Sequence, residues 1–162
     1  MSDKKDSFIK KYAVNFTEQE YVVNPAIGRD KEIRELALVL LTPDKSAILT
    51  GKPGIGKTAI VEGLAYLIQR NEVPDALKGY TIIKVDTQAL VGVVPETGDS
   101  RVQTLINEIL EHEKYILFID DIKVLENVNF KELKILYLDG NPINYDSTFV
   151  ENLKSKINIF RI

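Results

Sequence analysis

The stretch from residue 51 to residue 58 constrains this chain more than any other, because it reads Gly-Lys-Pro-Gly-Ile-Gly-Lys-Thr. It satisfies the pattern G-x-x-x-x-G-K-[S/T] at every fixed position, which is the Walker A phosphate-binding loop. Glycines let such a loop turn tightly, so that successive N–H groups point at an anion. The following helix adds the positive end of its dipole. An apolar run at 46–50 and helical periodicity after the loop supply the context that the motif requires.

The side chains of this loop predict which anion it binds. Lys57 can reach the β- and γ-phosphate oxygens of a nucleotide, and the Thr58 hydroxyl can ligate Mg²⁺. We therefore predict a site for ATP with Mg²⁺. Its expected phosphate-binding residues are Lys52, Pro53, Gly54, Ile55, Gly56, Lys57, Thr58 and Ala59.

Strand-like and helix-like segments alternate along the chain, which is typical of an α/β fold with a parallel sheet. Short apolar runs predict strands, and apolar residues at helical spacing predict helices between them. The predicted strands are 46–50, 81–85 and 115–119, and the predicted helices are 30–42, 57–70 and about 102–110. This pattern favours a three-layer P-loop NTPase, with helices on both faces of the sheet.

A pair of acidic residues follows the apolar run 116–119, as in a Walker B motif. We expect this strand to lie beside the strand of the phosphate loop. Asp120 would then hold Mg²⁺ through its water shell, and Asp121 would orient or deprotonate the attacking water. The alternative is that the two acids only end the strand, since Asp is common at turns.

Composition narrows the class of protein. The chain has 162 residues, 21 Lys and Arg against 24 Asp and Glu, a net charge of −3, and no cysteine. The charge balance gives no reason to expect a nucleic-acid partner, and the absence of cysteine excludes disulfides. No apolar run approaches the length of a membrane span, and the first residues do not resemble a signal peptide. We expect a cytoplasmic protein without membrane contact.

Five segments, read together, resemble the first ATPase module of Clp-type AAA+ unfoldases. They are Asn-Pro-Ala-Ile-Gly-Arg-Asp-Lys-Glu-Ile at 24–33, Gly-Lys-Thr-Ala-Ile-Val-Glu-Gly-Leu-Ala at 56–65, Val-Pro-Asp-Ala-Leu-Lys-Gly at 73–79, Asp-Thr-Gln-Ala-Leu-Val at 86–91 and Ile-Leu-Phe-Ile-Asp at 116–120. The resemblance covers about residues 8–121. It implies an arm or linker at 1–23 and an AAA+ nucleotide-binding core at 24–121.

The resemblance also implies a function. Members of this family couple ATP hydrolysis in a hexameric ring to threading of unfolded protein substrates through a central pore. Carried over by position, Ile27 and Gly28 would lie near the adenine, Lys57 and Asp121 would serve catalysis, and Thr58 and Asp120 would serve the metal. The expected partners are ATP, further copies of this chain and unfolded proteins.

Three departures from the family pattern bear on hydrolysis and threading. Asp121 stands where the family has Glu, so its carboxylate reaches one methylene less far. Glu96 stands where the substrate-gripping loop has an aromatic residue. We identify no sensor residue, arginine finger or helical lid in 122–162, so the lid subdomain is expected to be missing.

From these departures we expect weak hydrolysis of ATP by the isolated chain. The alternatives are a non-hydrolysing nucleotide-binding module and a truncated fusion fragment.

The segment 122–162 allows two interpretations. Residues 133–143 fit L-x-x-L-x-L-x-x-N-x-I, which is typical of a leucine-rich repeat, and a single repeat needs a partner to bury its apolar face. Alternatively, residues 135–138 add a parallel strand at the edge of the sheet, with Asn141 near the γ-phosphate as a sensor. Both can hold together.

Overall fold

The computed structural model describes residues 7–42, 46–50, 54–119, 134–139 and 157–161. Its helices are α1 (Phe8–Tyr12), α2 (Asp30–Leu41), α3 (Lys57–Gln69) and α4 (Arg101–Leu110), and a short 3-10 helix spans Asp75–Leu77. Its strands are β1 (Ala13–Asn15), β2 (Ser46–Thr50), β3 (Thr81–Val85), β4 (Tyr115–Ile119), β5 (Lys134–Asp139) and β6 (Ile157–Arg161). Within these ranges, no helix is long and apolar enough to cross a lipid bilayer.

The described strands form one six-stranded sheet in the order β1-β3-β4-β5-β2-β6. Every neighbouring pair is parallel except β1 and β3, which run antiparallel. In this order β5 separates β4 from β2. The expectation that the strand before Asp120 lies directly beside the strand of the phosphate loop is therefore wrong. The pattern of apolar residues predicts which segments form strands, but it does not predict the order of those strands in the sheet.

The core lies on both faces of the sheet, because successive side chains of a strand point to opposite faces. Ile82, Ile116 and Phe118 pack with buried residues of α2 and α3. Their neighbours Ile83, Leu117 and Ile119 pack with buried residues of α4 and with partly buried residues of α1. This is the predicted three-layer arrangement. It also explains why β4 is a continuous apolar run, since both of its faces are covered.

The helices bury the stripes that their spacing predicts. The buried residues of α2 are Ile33, Leu36, Ala37 and Leu40, which recur at the interval of one or two helical turns. In α4 the corresponding residues are Val102, Leu105, Ile106 and Ile109. Leu110, the last residue of α4, is 41% exposed.

Residues 7–16 contribute an unpredicted helix and strand. β1 pairs with β3 from Ala13↔Val85 to Asn15↔Ile83 and forms an edge of the sheet. α1 lies over α4, where Glu108 accepts hydrogen bonds from the Ser7 hydroxyl and, at 2.7 Å, from the Phe8 N–H. The segment expected to be an arm or linker thus contains two elements that pack on the sheet and on α4.

Two of the described strands, β5 and β6, fall in the segment 122–162. β5 is parallel to β2 from Ala47↔Leu136 to Thr50↔Asp139 and to β4 from Ile116↔Lys134 to Ile119↔Tyr137. The interpretation of residues 135–138 as a parallel strand agrees with β5, although β5 lies inside the sheet and β6 forms the edge. Asn141 lies outside the described residues. The leucine-rich-repeat interpretation and the boundary near residue 122 stay predictions.

Candidate functional site

The candidate site lies between β2, which ends at Thr50, and α3, which begins at Lys57. Of the residues between them, Gly54, Ile55 and Gly56 are described, whereas Gly51, Lys52 and Pro53 lie outside the described residues. Gly54 and Gly56 have φ angles of +80° and +96°. Side chains rarely tolerate this left-handed region, so the two glycines explain how the chain turns sharply into α3.

The N-terminus of α3 has features that suit an anion. Gly56 is the N-cap residue and makes no side-chain capping hydrogen bond among the described residues, and the first turn of the helix contains no acidic residue. Side-chain oxygens fill this position in two other helices, since Ser7 caps α1 and Ser100 caps α4. The first N–H groups of a helix have no partner within it, and the helix dipole is positive there. A phosphate group therefore fits the end of α3.

Three predicted phosphate ligands form the first turn of α3. Lys57 and Ala59 are half-buried, and Thr58 is exposed. The first intrahelical hydrogen bond runs from the Ile60 N–H to the Gly56 carbonyl, over 3.1 Å. The backbone N–H groups of Lys57, Thr58 and Ala59 thus precede the first residue that donates within the helix. This is the arrangement that binds phosphate in helix N-terminal sites.

The segment predicted to lie near the adenine reaches this loop through Arg29. Ile27 is 78% exposed, and Gly28 has a φ angle of +80°. The guanidinium of the next residue, Arg29, donates through Nη2 to the carbonyl oxygen of Ile55 over 2.7 Å. One side-chain hydrogen bond therefore joins the segment that carries Ile27 and Gly28 to the phosphate loop.

Arg29 also forms an ion pair with Glu32, with Nη1 3.1 Å from Oε1. A hydrogen bond from its own backbone N–H and the bond from Arg29 lower the pKa of the Glu32 carboxyl. The Glu32 carboxyl is therefore charged at neutral pH. Sequence reasoning included Arg29 only as part of the family motif and missed its contact with Ile55, which joins residues far apart in the chain.

The predicted Walker B acids follow β4 in the sequence. β4 ends at Ile119, which pairs with Tyr137 of β5, and Asp120 and Asp121 lie outside the described residues. Because β4, β5 and β2 are parallel, their carboxyl ends meet at the edge of the sheet where the phosphate loop begins. Ligands of open α/β sheets bind at this edge. The roles of Asp120 and Asp121 stay predictions.

The loop that contains Glu96 forms a short hairpin. Val93 and Ser100 form an antiparallel bridge, and the Val94 N–H donates to the Asp99 carbonyl over 2.7 Å. At the base, Arg101 Nη1 donates to the carbonyls of Ala89 and Val91 over 3.2 and 3.3 Å. Residues 95–98 at the tip are exposed. Glu96 thus lies on a projecting loop with an ordered base.

Comparisons with known proteins find a matching family and similar relatives. The family described as "ATPase family associated with various cellular activities (AAA)" matches residues 47–137. The chaperone protein ClpB of Pseudomonas putida and that of Bacteroides thetaiotaomicron are each 42% identical to this chain over 123 residues. These matches cover 72% of this chain but only 14% of the length of each relative.

Solved structures extend the likeness to the fold. The S. cerevisiae Hsp104:casein complex in its extended conformation matches with a TM-score of 0.78 at 30% identity, over 96% of this chain and 30% of that one. The S. cerevisiae Hsp104-ADP complex matches with a TM-score of 0.76 at 28% identity, over 95% and 30% of the two chains.

Proposed function

The chain belongs to the AAA family of ATPases, and from that premise we propose that it binds Mg-ATP at the start of α3. The carrying observation is the uncapped N-terminus of α3, which follows Gly54 and Gly56 in the left-handed region and carries no acid in its first turn. A helix end without a capping side chain leaves its N–H groups available to phosphate oxygens.

Each predicted residue has a separate role in this proposal. Lys57 neutralises charge on the β- and γ-phosphates, and the Thr58 hydroxyl ligates Mg²⁺. Mg²⁺ neutralises phosphate charge when bound, and Asp120 would hold it through its water shell. Asp121 would orient the attacking water. Ile27 offers an apolar surface to the adenine, and its 78% exposure supports that role.

We further propose that the chain is the ATPase module of a cytoplasmic protein-remodelling machine. It resembles the corresponding module of the ClpB and Hsp104 chaperones, and one similar structure is a complex with casein. In this proposal copies of the chain assemble as a hexamer on unfolded protein. Hydrolysis is slow in the isolated chain, because Asp121 is shorter than the family's Glu and no arginine finger is identified. A trans-acting arginine contributes on the order of 10³–10⁵ in rate in related enzymes.

A second candidate is a nucleotide-binding interaction module that does not hydrolyse ATP. The observation that favours it is Glu96, which occupies an exposed hairpin tip where a substrate-gripping aromatic residue is expected. Size-exclusion chromatography with light scattering separates the candidates. An ATP-dependent hexamer supports the remodelling machine, and a monomer with and without ATP supports the interaction module.

Titration with a fluorescent ATP analogue tests the site itself. Lys57→Ala should abolish binding of Mg-ATP. The matched control is Lys31→Ala, which removes the same charge from an exposed position on α2, where Lys31 pairs with Glu35 at 3.9 Å. Equal affinity of the Lys57→Ala variant and the parent protein would refute the assignment of the phosphate site.

A further inference from the structure

One hydrogen bond joins the two halves of the proposed site. Arg29 precedes α2 as its N-cap residue, and its Nη2 donates over 2.7 Å to the carbonyl oxygen of Ile55 in the loop before α3. Its Nη1 is held by Glu32, one turn into α2, at 3.1 Å. The guanidinium therefore spans from the start of one helix to the loop that begins the other.

The acceptor of this bond belongs to a peptide unit that matters for phosphate binding. The carbonyl of Ile55 and the N–H of Gly56 share one planar trans peptide, so they point in opposite directions. When Arg29 holds the Ile55 oxygen on its own side, the Gly56 N–H must point to the other side. Rotation of this peptide would exchange a donor for a carbonyl oxygen, which repels an anion.

The residues around this peptide do little to prevent such a rotation. Gly54 and Gly56 flank Ile55, and glycine populates positive and negative φ about equally well. A loop built from glycines gains the tight turn but loses intrinsic preference for one peptide orientation. A charge-assisted hydrogen bond from outside the loop supplies that preference, since such bonds are stronger than neutral ones.

The charge of Arg29 is already neutralised by a partner. Arg29 and Glu32 have side-chain exposures of 33% and 25%, and they lie at contact distance. A paired guanidinium is suited to orienting a carbonyl rather than to serving as the principal counter-charge of a triphosphate. Glu32 in turn fixes the plane of the guanidinium, because it holds one nitrogen of the fork while the other reaches Ile55.

We infer that Arg29 is a positioning residue for nucleotide binding, which locks the Ile55–Gly56 peptide with its N–H directed at the phosphate. The inference rests on the proposed ATP site, and it names a residue outside the phosphate-binding motif. Arg29 acts through the peptide and does not touch the nucleotide. The ordering of the loop therefore precedes binding and is present in the nucleotide-free protein.

Arg29→Met removes the donor and keeps an apolar stem of similar length. The matched control is Arg34→Met within α2, where Arg34 is exposed and donates a long bond of 3.4 Å to the Asp30 carbonyl. We expect Arg29→Met to weaken Mg-ATP binding about tenfold, as for loss of a charge-assisted hydrogen bond. Arg34→Met should bind like the parent protein.

A second measurement separates positioning from direct contact with phosphate. In nucleotide-free protein labelled with ¹⁵N, Arg29→Met should shift the Gly56 amide resonance and speed its hydrogen exchange, and Arg34→Met should do neither. Weakened binding with an unchanged Gly56 amide would overturn the inference, because Arg29 would then act on the ligand itself. Unchanged binding and an unchanged amide would overturn it as well.

Lys57→Ala and Glu32→Gln distinguish failure of the ATP site or of folding from failure of the inference about Arg29. If Lys57→Ala binds as well as the parent protein, the proposed ATP site fails, but the amide measurement still decides whether Arg29 orders the loop. If Arg29→Met does not fold, Glu32→Gln takes its place, since it retains the guanidinium and weakens the ion pair that orients it. We expect Glu32→Gln to speed exchange at Gly56, and an unchanged rate there would overturn the inference.

Discussion

Gly63 of α3 packs so closely on Ala26 that a Cβ built on the glycine would lie 2.6 Å from the Cβ of Ala26 and 2.9 Å from Cδ1 of Ile33. Real Cβ atoms do not approach so closely, so any side chain at position 63 must displace the segment before α2. That segment carries Ile27 and Arg29. The close approach of Gly63 to Ala26 therefore brings α3 against the segment that carries these two residues.

Gly63→Ala should destabilise the protein by about 1–3 kcal/mol, which is the usual cost of overpacking a core. The sign is informative, because alanine in place of glycine normally stabilises a helix by about 1 kcal/mol. The control is Glu62→Ala, one position earlier and half-buried. Urea unfolding of both variants measures the difference. A Gly63→Ala protein more stable than its parent would show that the helix and the segment can separate at no cost.

Tyr21 predicts how stability changes in alkali. Burial, followed by the nearby charge of Glu62, raises the pKa of Tyr21 to about 12. Its hydroxyl donates to the Phe16 carbonyl over 2.9 Å. In the unfolded chain the Tyr21 hydroxyl ionises at about pH 10. The stabilisation from neutral Tyr21 is therefore complete below that pH and is lost as the pH rises toward 12.

Tyr21→Phe should therefore lose about 1 kcal/mol or less at neutral pH, through the missing hydrogen bond, and should show a shallower loss of stability above pH 10. Absorbance at alkaline pH follows the ionisation, and urea unfolding at neutral and alkaline pH follows the stability. Tyr80→Phe, at a partly buried residue of the same apolar cluster, is the control. The same alkaline slope in both variants would contradict the prediction.

The sequence predicts the features that depend on neighbouring residues better than those that depend on contacts between residues far apart in the chain. The runs at 81–85 and 115–119 become β3 and β4 because local apolar content decides them. The position of β5 between β4 and β2 depends on long-range pairing, which leaves no local pattern. β1 is only three residues long, too short for periodicity to show, and it pairs with residues of β3 far along the chain.

The candidate site divides in the same way. The phosphate loop is a prediction from one contiguous pattern of glycines, Lys57 and Thr58, and its described part, residues 54–56, turns into α3 with two glycines at positive φ. The bond between Arg29 and Ile55 joins residues 26 positions apart and depends on how α2 and α3 pack. Such a contact is visible only after folding. It was the structure, and not the motif, that singled out Arg29.

Glu108 anchors the first described helix. It accepts hydrogen bonds from the Ser7 hydroxyl and from the Phe8 N–H, and Phe8 packs against the cluster beneath α4. Glu108→Ala should release α1, because hydrogen bonds to a charged group contribute about 1.5–3 kcal/mol each. We expect faster hydrogen exchange in residues 8–12 and little change in α2 and α3. Glu111→Ala, at an exposed position beyond α4, should leave exchange unchanged.

If exchange in α1 is the same in the Glu108→Ala variant and the parent protein, the apolar contacts of Phe8 and Tyr12 hold the helix without the carboxylate. Their rings lie 5.2 Å apart and pack against the same cluster. Phe8→Ala would then be the variant that releases α1.

Gly56 and Gly98 together separate backbone strain from nucleotide binding. Gly56 has a φ angle of +96° at the start of α3, and Gly98 has a φ angle of +75° at the tip of the hairpin. A Cβ at Gly56 would lie 4.0 Å from the Ala59 Cβ, and at Gly98 it would meet nothing within 4 Å. Alanine at either position is therefore strained by its φ angle and not by a clash. We expect each variant to lose about 1–2 kcal/mol of stability.

Only Gly56→Ala should weaken Mg-ATP binding, because it shifts the N–H groups that lead into α3. Titration and urea unfolding of both variants make the comparison, and equal loss of affinity would place the phosphate site elsewhere.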